Sequence, residues 1–267
     1  EGRIDHAESF ADSPLEGRAH IDLDALEVFE PFLDGLKDPA GSFQGELRVS
    51  GTAGRPRLSG QGGGHLRIEV PAIGRVLDLP AFTVWGVADE GLKIEGAFDV
   101  DGIPLRFDGA LAYDAEDQVR AALSLRGDDV PLVALPDLAL WLSPHFEAEL
   151  QHGVLSVNGT LGVPRARIAV TSVPEAGAVR SQDVILHRKA SAAADRGVLT
   201  QARVGVHLGE DVQLTAGALS TGLTGNLALA LGLDRSLTAQ GHIDTRGGTV
   251  SRFGRELAIT TGSLAFD

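Results

Sequence analysis

The chain has 267 residues, 43% hydrophobic and 22% charged, with a formal net charge of −14 and neither cysteine nor methionine. That balance is globular rather than disordered. The acidic excess, with no Lys/Arg run, excludes a binder that works by neutralising nucleic-acid phosphates, and the absence of thiols excludes a disulfide framework and thiol chemistry.

Residues 1–40 read as a leading strand followed by a short amphipathic helix. Between Asp24 and Lys37, Leu26, Phe29, Leu33 and Leu36 stand at helical spacing, Asp22 or Asp24 can cap, and Gly35 and Pro39 sit near the stop. Pro31 lies inside this segment and predicts a short or kinked helix that caps one end of a sheet.

Residues 41–267 read as one continuous, elongated β-sheet. Apolar and polar residues alternate through Leu66, Ile68 and Val70, then Leu92 and Ile94, Phe98 and Val100, Leu105 and Phe107, and Ala121, Leu123 and Leu125. The same alternation returns in Ala202, Val204, Val206 and Leu208, and in Leu227, Leu229, Leu231 and Leu233. Period two gives each strand one dry and one wet face. The pattern predicts roughly 16 to 20 strands, on the order of 80 Å of sheet if they form one stack at ~4.8 Å per strand. Asp101-Gly102, Asn158-Gly159 and Gly247-Gly248 supply the positive φ angles of tight hairpin turns.

An internal repeat accompanies the strands. Residues 46–60 (ELRVSGTAGRPRLSG) and 154–168 (VLSVNGTLGVPRARI) match at Gly51/Gly159, Thr52/Thr160, Pro56/Pro164 and Arg57/Arg165. Each copy reads as an outgoing strand, a Gly-Thr turn and a proline-started return, as in a fold that grows by stacking.

No catalytic constellation stands out. The eight histidines are scattered, without an HExxH pair or a cysteine to complete a metal site. Asp99, Asp101 and Gly102 resemble the opening of a calcium loop, but the later acidic ligands are missing. Gly60 to Gly64 is glycine-rich without a following Lys-Ser/Thr, the acidic cluster Asp114, Glu116 and Asp117 reads as a solvated loop, and no GxSxG elbow occurs. The residues point to a non-enzyme without a cofactor. Apolar stretches are strand-length, far short of the ~20 residues that cross a bilayer as a helix.

A long sheet cannot leave its apolar side in water, so it must close, meet a second sheet or cover something greasy. The cleanest alternations nominate Leu66, Ile68, Leu92, Ile94, Phe98, Leu123, Leu125, Val204, Val206, Leu208, Leu227, Leu229, Leu231 and Leu233 as the lining of an apolar groove. A filled sandwich core is the alternative for the same residues.

The C-terminal run Gly248-Thr249-Val250-Ser251-Arg252-Phe253-Gly254, followed by Leu257-Ala258-Ile259, Gly262 and Leu264-Ala265-Phe266, resembles a signature of the TamB family, the translocation and assembly module proteins of Gram-negative bacteria. Leu208 to Val212, Leu223 to Leu227, Ser143-Pro144, Val163 to Ile168 and Ser181 to Val184 are similar to further motifs of that family, in the same order. The resemblance covers residues 40–267, with one departure at Val250, where the family usually carries an aromatic residue. It implies an all-β, folded-over, solenoid-like sheet, a β-taco, with an apolar concave interior that spans part of the periplasm. It also implies passage of phospholipid acyl chains between inner and outer membranes, and outer-membrane protein assembly with a TamA-like partner. With no Met at Glu1, the chain is expected to be an internal piece, without the inner-membrane helix and the last strands of such proteins.

Overall fold

A computed structural model describes residues 13–27, 35–53, 56–87, 91–113, 119–170, 199–252 and 255–267. Among them it forms a single sheet of 15 strands, open rather than closed into a barrel. The strands are β1 (Gly17–Leu23), β2 (Lys37–Gly51), β3 (Pro56–Val70), β4 (Arg75–Val87), β5 (Gly91–Val100), β6 (Ile103–Tyr113), β7 (Val119–Arg126) and β8 (Val130–Leu135). They continue as β9 (Leu138–Gln151), β10 (Val154–Val170), β11 (Leu199–Ala216), β12 (Leu219–Leu231), β13 (Leu237–Arg252), β14 (Arg255–Ala258) and β15 (Ser263–Phe266). Neighbours in sequence are neighbours in the sheet except that β7 and β8 both pair with β9, and β14 and β15 both pair with β13. All pairs are antiparallel except β10 and β11, which run parallel. The elongated all-β sheet read from the alternation is the one observed, and it is consistent with the folded-over form that the resemblance implies.

β7 and β8 lie end to end along one edge of β9. Arg126 pairs with His145, the Gly127 N–H donates to the Pro144 carbonyl at 3.0 Å, and Val130 pairs with Leu142. Register shifts at this break and between Gly64/Leu66, Asp78/Phe82, Gly162/Arg165, Leu208/Val212 and Thr221/Gly222 place bulges across the middle of the sheet. Bulges bend strands and raise their twist, so an aligned row of them creases the sheet.

Several local expectations are corrected. Residues 28–34 of the expected helix lie outside the described residues, and Lys37, its expected end, already begins β2. Leu26 and Glu27, near its expected start, are in 3-10 conformation. A 3-10 turn also spans Pro71–Ile73, stopped by Gly74 at φ 64°. Asp101-Gly102 does turn, at φ 53° and 83°, with the Gly102 N–H donating to Asp99 at 2.6 Å. Asn158-Gly159 instead lies inside β10, and Gly247 is the extra residue of a bulge in β13, because Thr221 pairs with Gly248 and Gly222 with Arg246. His152-Gly153, at φ 51° and 74°, makes the β9–β10 turn that the reading missed.

The two like segments take different structures. Residues 46–60 cross the turn from β2 to β3, whereas 154–168 stay within β10. Pro164 falls at the β10 bulge, where no ladder N–H is needed, while Gly159 and Thr160 pair in regular register, so the Pro-Arg element that starts β3 in one copy serves a bulge in the other.

Two dry clusters hold the crease. One contains Val100, Leu105 and Val130, the other Leu142, Val163, Ala166 and Val212. Leu132 of β8 packs against both, so β8 ties the β4–β6 part of the sheet to the β9–β12 part.

Candidate functional site

Register alone decides which side chains share a face, because directly paired residues project the same way. One row of partners reads Gly45, Gly62, Val84, Ile94, Gly109, Leu123, Ala148, Val157, Ala202, Leu231 and Leu237 from β2 to β13. The adjacent row on that face reads Phe43, Gly64, Phe82, Gly96, Phe107, Leu125, Phe146, Gly159, Val204, Leu229 and Ala239. Neither row contains a titratable group. Leu66, Ile68, Leu92, Phe98, Val206, Leu208 and Leu227 lie on the same face in flanking rows. Leu233 does not join them, since β12 ends at Leu231 and Leu233 stands 46% exposed in the following turn.

The face is dry at one end and wet at the other. At the end carrying the β3–β4, β5–β6 and β8–β9 turns, Ile68 is buried, Phe98 and Leu125 pack on the Val130 cluster, and Val206 and Leu208 pack on the Val212 cluster. Toward the β6–β7 and β12–β13 turns the same face exposes Leu111 (42%), Leu123 (49%) and Leu237 (71%). Leu92, Ile94, Val204, Leu227, Leu229 and Leu231 are half-buried between these limits. The nominated set is thus partly core and partly open apolar surface.

The reading missed the pairing of phenylalanine with glycine. A Cβ on Gly62 would stand 2.7 Å from Phe43 Cζ, one on Gly96 2.8 Å from Phe107 Cζ, and one on Gly159 2.8 Å from Phe146 Cδ1. Each ring therefore lies over bare backbone on the neighbouring strand. Phe43 also stacks on Phe82 at 5.9 Å and Phe98 meets Phe107 at 5.4 Å. The glycines make room for the rings, and a small apolar pocket of about 50 Å³ remains over Phe43, Gly45, Leu47, Gly62 and Val84. A usable signal was present in Phe43-x-Gly45, Gly96-x-Phe98 and Phe107-x-Gly109, phenylalanine and glycine two apart on one face.

A second feature missed is the clamp at the start of β8. Arg165 donates from Nε to Asp129 at 3.1 Å and from Nη2 to the other carboxylate oxygen, while its guanidinium lies 4.9 Å from the Trp141 ring centre. The Asp129 N–H in turn donates to Ser143 Oγ at 2.9 Å. Arg165 belongs to the motif around Pro164, so that motif anchors the crease.

The opposite face is polar and holds the ion pairs Arg126–Glu147 at 3.6 Å and Arg167–Asp211 at 3.0 Å. In the turn after β12, Asp234 accepts from Ser236 Oγ at 2.6 Å and from the Ser236 N–H at 3.0 Å, which holds its carboxyl below the ordinary carboxylate range. Among the described residues no three His, Asp or Glu side chains converge as a metal site, and no helix is long and apolar enough to cross a membrane.

The family model described as the TamB C-terminal domain matches residues 95–267. A translocation and assembly module subunit TamB from Haemophilus influenzae is 27% identical over 147 residues, which is 50% of this chain and 11% of that protein. The chain thus spans about a tenth of the length of that relative. No solved structure matches it.

Proposed function

Because the chain belongs to the TamB family through its C-terminal domain, we propose that its apolar face carries phospholipid acyl chains across the periplasm between inner and outer membranes. The observation that carries this reading is the uncharged face running from β2 to β13 and left open at one end by Leu111, Leu123 and Leu237. Each methylene hidden from water is worth ~0.8 kcal/mol, so a two-chain lipid bare in transit would cost on the order of 20 kcal/mol. A trough lined by Gly, Ala, Val, Leu, Ile and Phe removes most of that barrier while offering no polar anchor that would trap the lipid. The headgroup stays in solvent.

The test follows from the gradient along the face. Leu123→Arg puts a charge on the open end, where the protein folds around it, and Leu229→Arg puts one at mid-depth. Both variants should retain their circular dichroism yet copurify with less phospholipid by mass spectrometry and fail to supply lipid in cells. Folded variants with normal lipid supply would end the conduit reading. Val206→Arg is a poorer probe, because Val206 packs against the Val212 cluster.

A second reading is a scaffold for outer-membrane proteins working with a TamA-like partner. It is favoured by the name of the relative, a subunit of a translocation and assembly module, and by the outer edge of β1, a short strand whose residues are mostly exposed and which could pair with a client strand. Photocrosslinkers at Leu123 and Leu229 separate the two, with lipid adducts supporting the conduit and client peptide adducts the scaffold.

A further inference from the structure

The polar face carries a hollow that neither reading uses. It has a volume of about 450 Å³, extends across β4, β5, β6, β7 and β9, and is lined by Trp85, Glu95, Asp108, Ser124, Glu147 and Glu149, among others. Four carboxylates face two cations, Lys93 and Arg126, and Arg126 is paired with Glu147 at 3.6 Å. One row of direct partners reads Glu95, Asp108, Ser124 and Glu147. Glu95 and Asp108 thus stand opposite each other, an arrangement that repels in an isolated sheet.

Ser124 supplies an independent observation. It is 8% exposed, and its Oγ finds no hydrogen-bond partner among the described residues. A buried hydroxyl without a partner is uncommon and marks a place where a polar group from outside fits. The acidic row alone would suit any cation, but the carboxylates do not converge as a metal site. The hollow spans five strands, roughly 19 Å at ~4.8 Å per interval, the reach of about six extended residues.

From this geometry we infer that the polar hollow of β4–β9 binds a short basic peptide segment in extended form, its guanidinium or ammonium groups held by Glu95 and Asp108 and stacked on Trp85. The chain shows the same chemistry internally, where Arg165 lies on Trp141 and donates to the carboxylate of Asp129. The site lies on the face opposite the apolar trough, so it stands whether or not the trough carries lipid.

The test uses the 267-residue chain and an end-capped hexa-arginine peptide, followed by tryptophan emission. A saturable one-to-one change is expected, weakened by salt and absent in Trp85→Phe, which keeps Trp141. The double variant Glu95→Gln/Asp108→Asn should weaken binding about tenfold or more and melt no lower than the parent, since it removes a repulsion. Binding that is unaltered by Trp85→Phe and by the double variant would be diffuse attraction to an acidic protein and would overturn the site. So would the absence of saturable binding, or a lower melting temperature in the double variant, which would show those carboxylates already engaged within the chain.

Discussion

Single residues set the local geometry that strands alone leave open. Gly74 has φ 64°, and a Cβ there would run into the Ala134 carbonyl of β8. Gly74→Val is expected to destabilise by about 2 kcal/mol, combining the left-handed penalty with that clash, as a lower melting temperature would register. Arg165→Gln removes both the cation that pairs with Asp129 and the stack on Trp141. Because the pair is about half exposed, the loss should be modest, roughly 1 kcal/mol after solvent screening. Asp234 offers a pH readout. Its folded carboxyl titrates below the unfolded value, so its contribution is present above the unfolded pKa and is lost as pH falls through the folded one. Protection of the amides in the 232–236 turn, taken relative to their intrinsic exchange rates, should fall as the Asp234 carboxyl protonates, and Ser236→Ala should weaken that dependence while the bond from the residue 236 N–H remains.

At the scale of elements, β8 decides how the sheet is held. Val130 is fully buried, and Leu132 touches both clusters, although the six residues of β8 pair only with β9. Val130→Ala should cost about 2 kcal/mol through lost burial and a residual cavity. Leu132→Ser should lower hydrogen-exchange protection in β4–β6 and β9–β12 together. Loss of protection in β8 and β9 alone would show that Leu132 does not couple the two parts. Nothing in VPLVAL distinguishes β8 from any other apolar run, because its role depends on which strands a bend at Gly127 to Asp129 brings within reach.

For the whole molecule, the gradient from buried to exposed along one face separates structural from functional apolar residues. Leu142→Arg, inside a dry cluster, should unfold the chain, while Leu123→Arg should leave the melting temperature nearly unchanged. The alternation through Leu92, Ile94, Val204, Val206, Leu227 and Leu229 was enough to place these residues on one face. It could not separate Val206, packed on a cluster, from Leu123, open to solvent, because both occupy the same phase of a period of two. The run also carried on to Leu233, where β12 had already stopped. The Pro164 motif misled for a related reason, as the chemistry that favours a turn also suits a bulge when neighbouring strands hold the ladder on both sides.

By itself the sequence determined the all-β class, which residues of the clean alternations share an apolar face, and a set of ordered motifs that mark the family. Those properties are local, since between bulges a residue's side of a strand follows from its parity. The crease, the two clusters bridged by Leu132, the Arg165 clamp and the acidic hollow around Ser124 were decided by tertiary structure. Each depends on register between strands or on packing between residues distant in the chain, and register is a property of the assembled sheet rather than of any one strand.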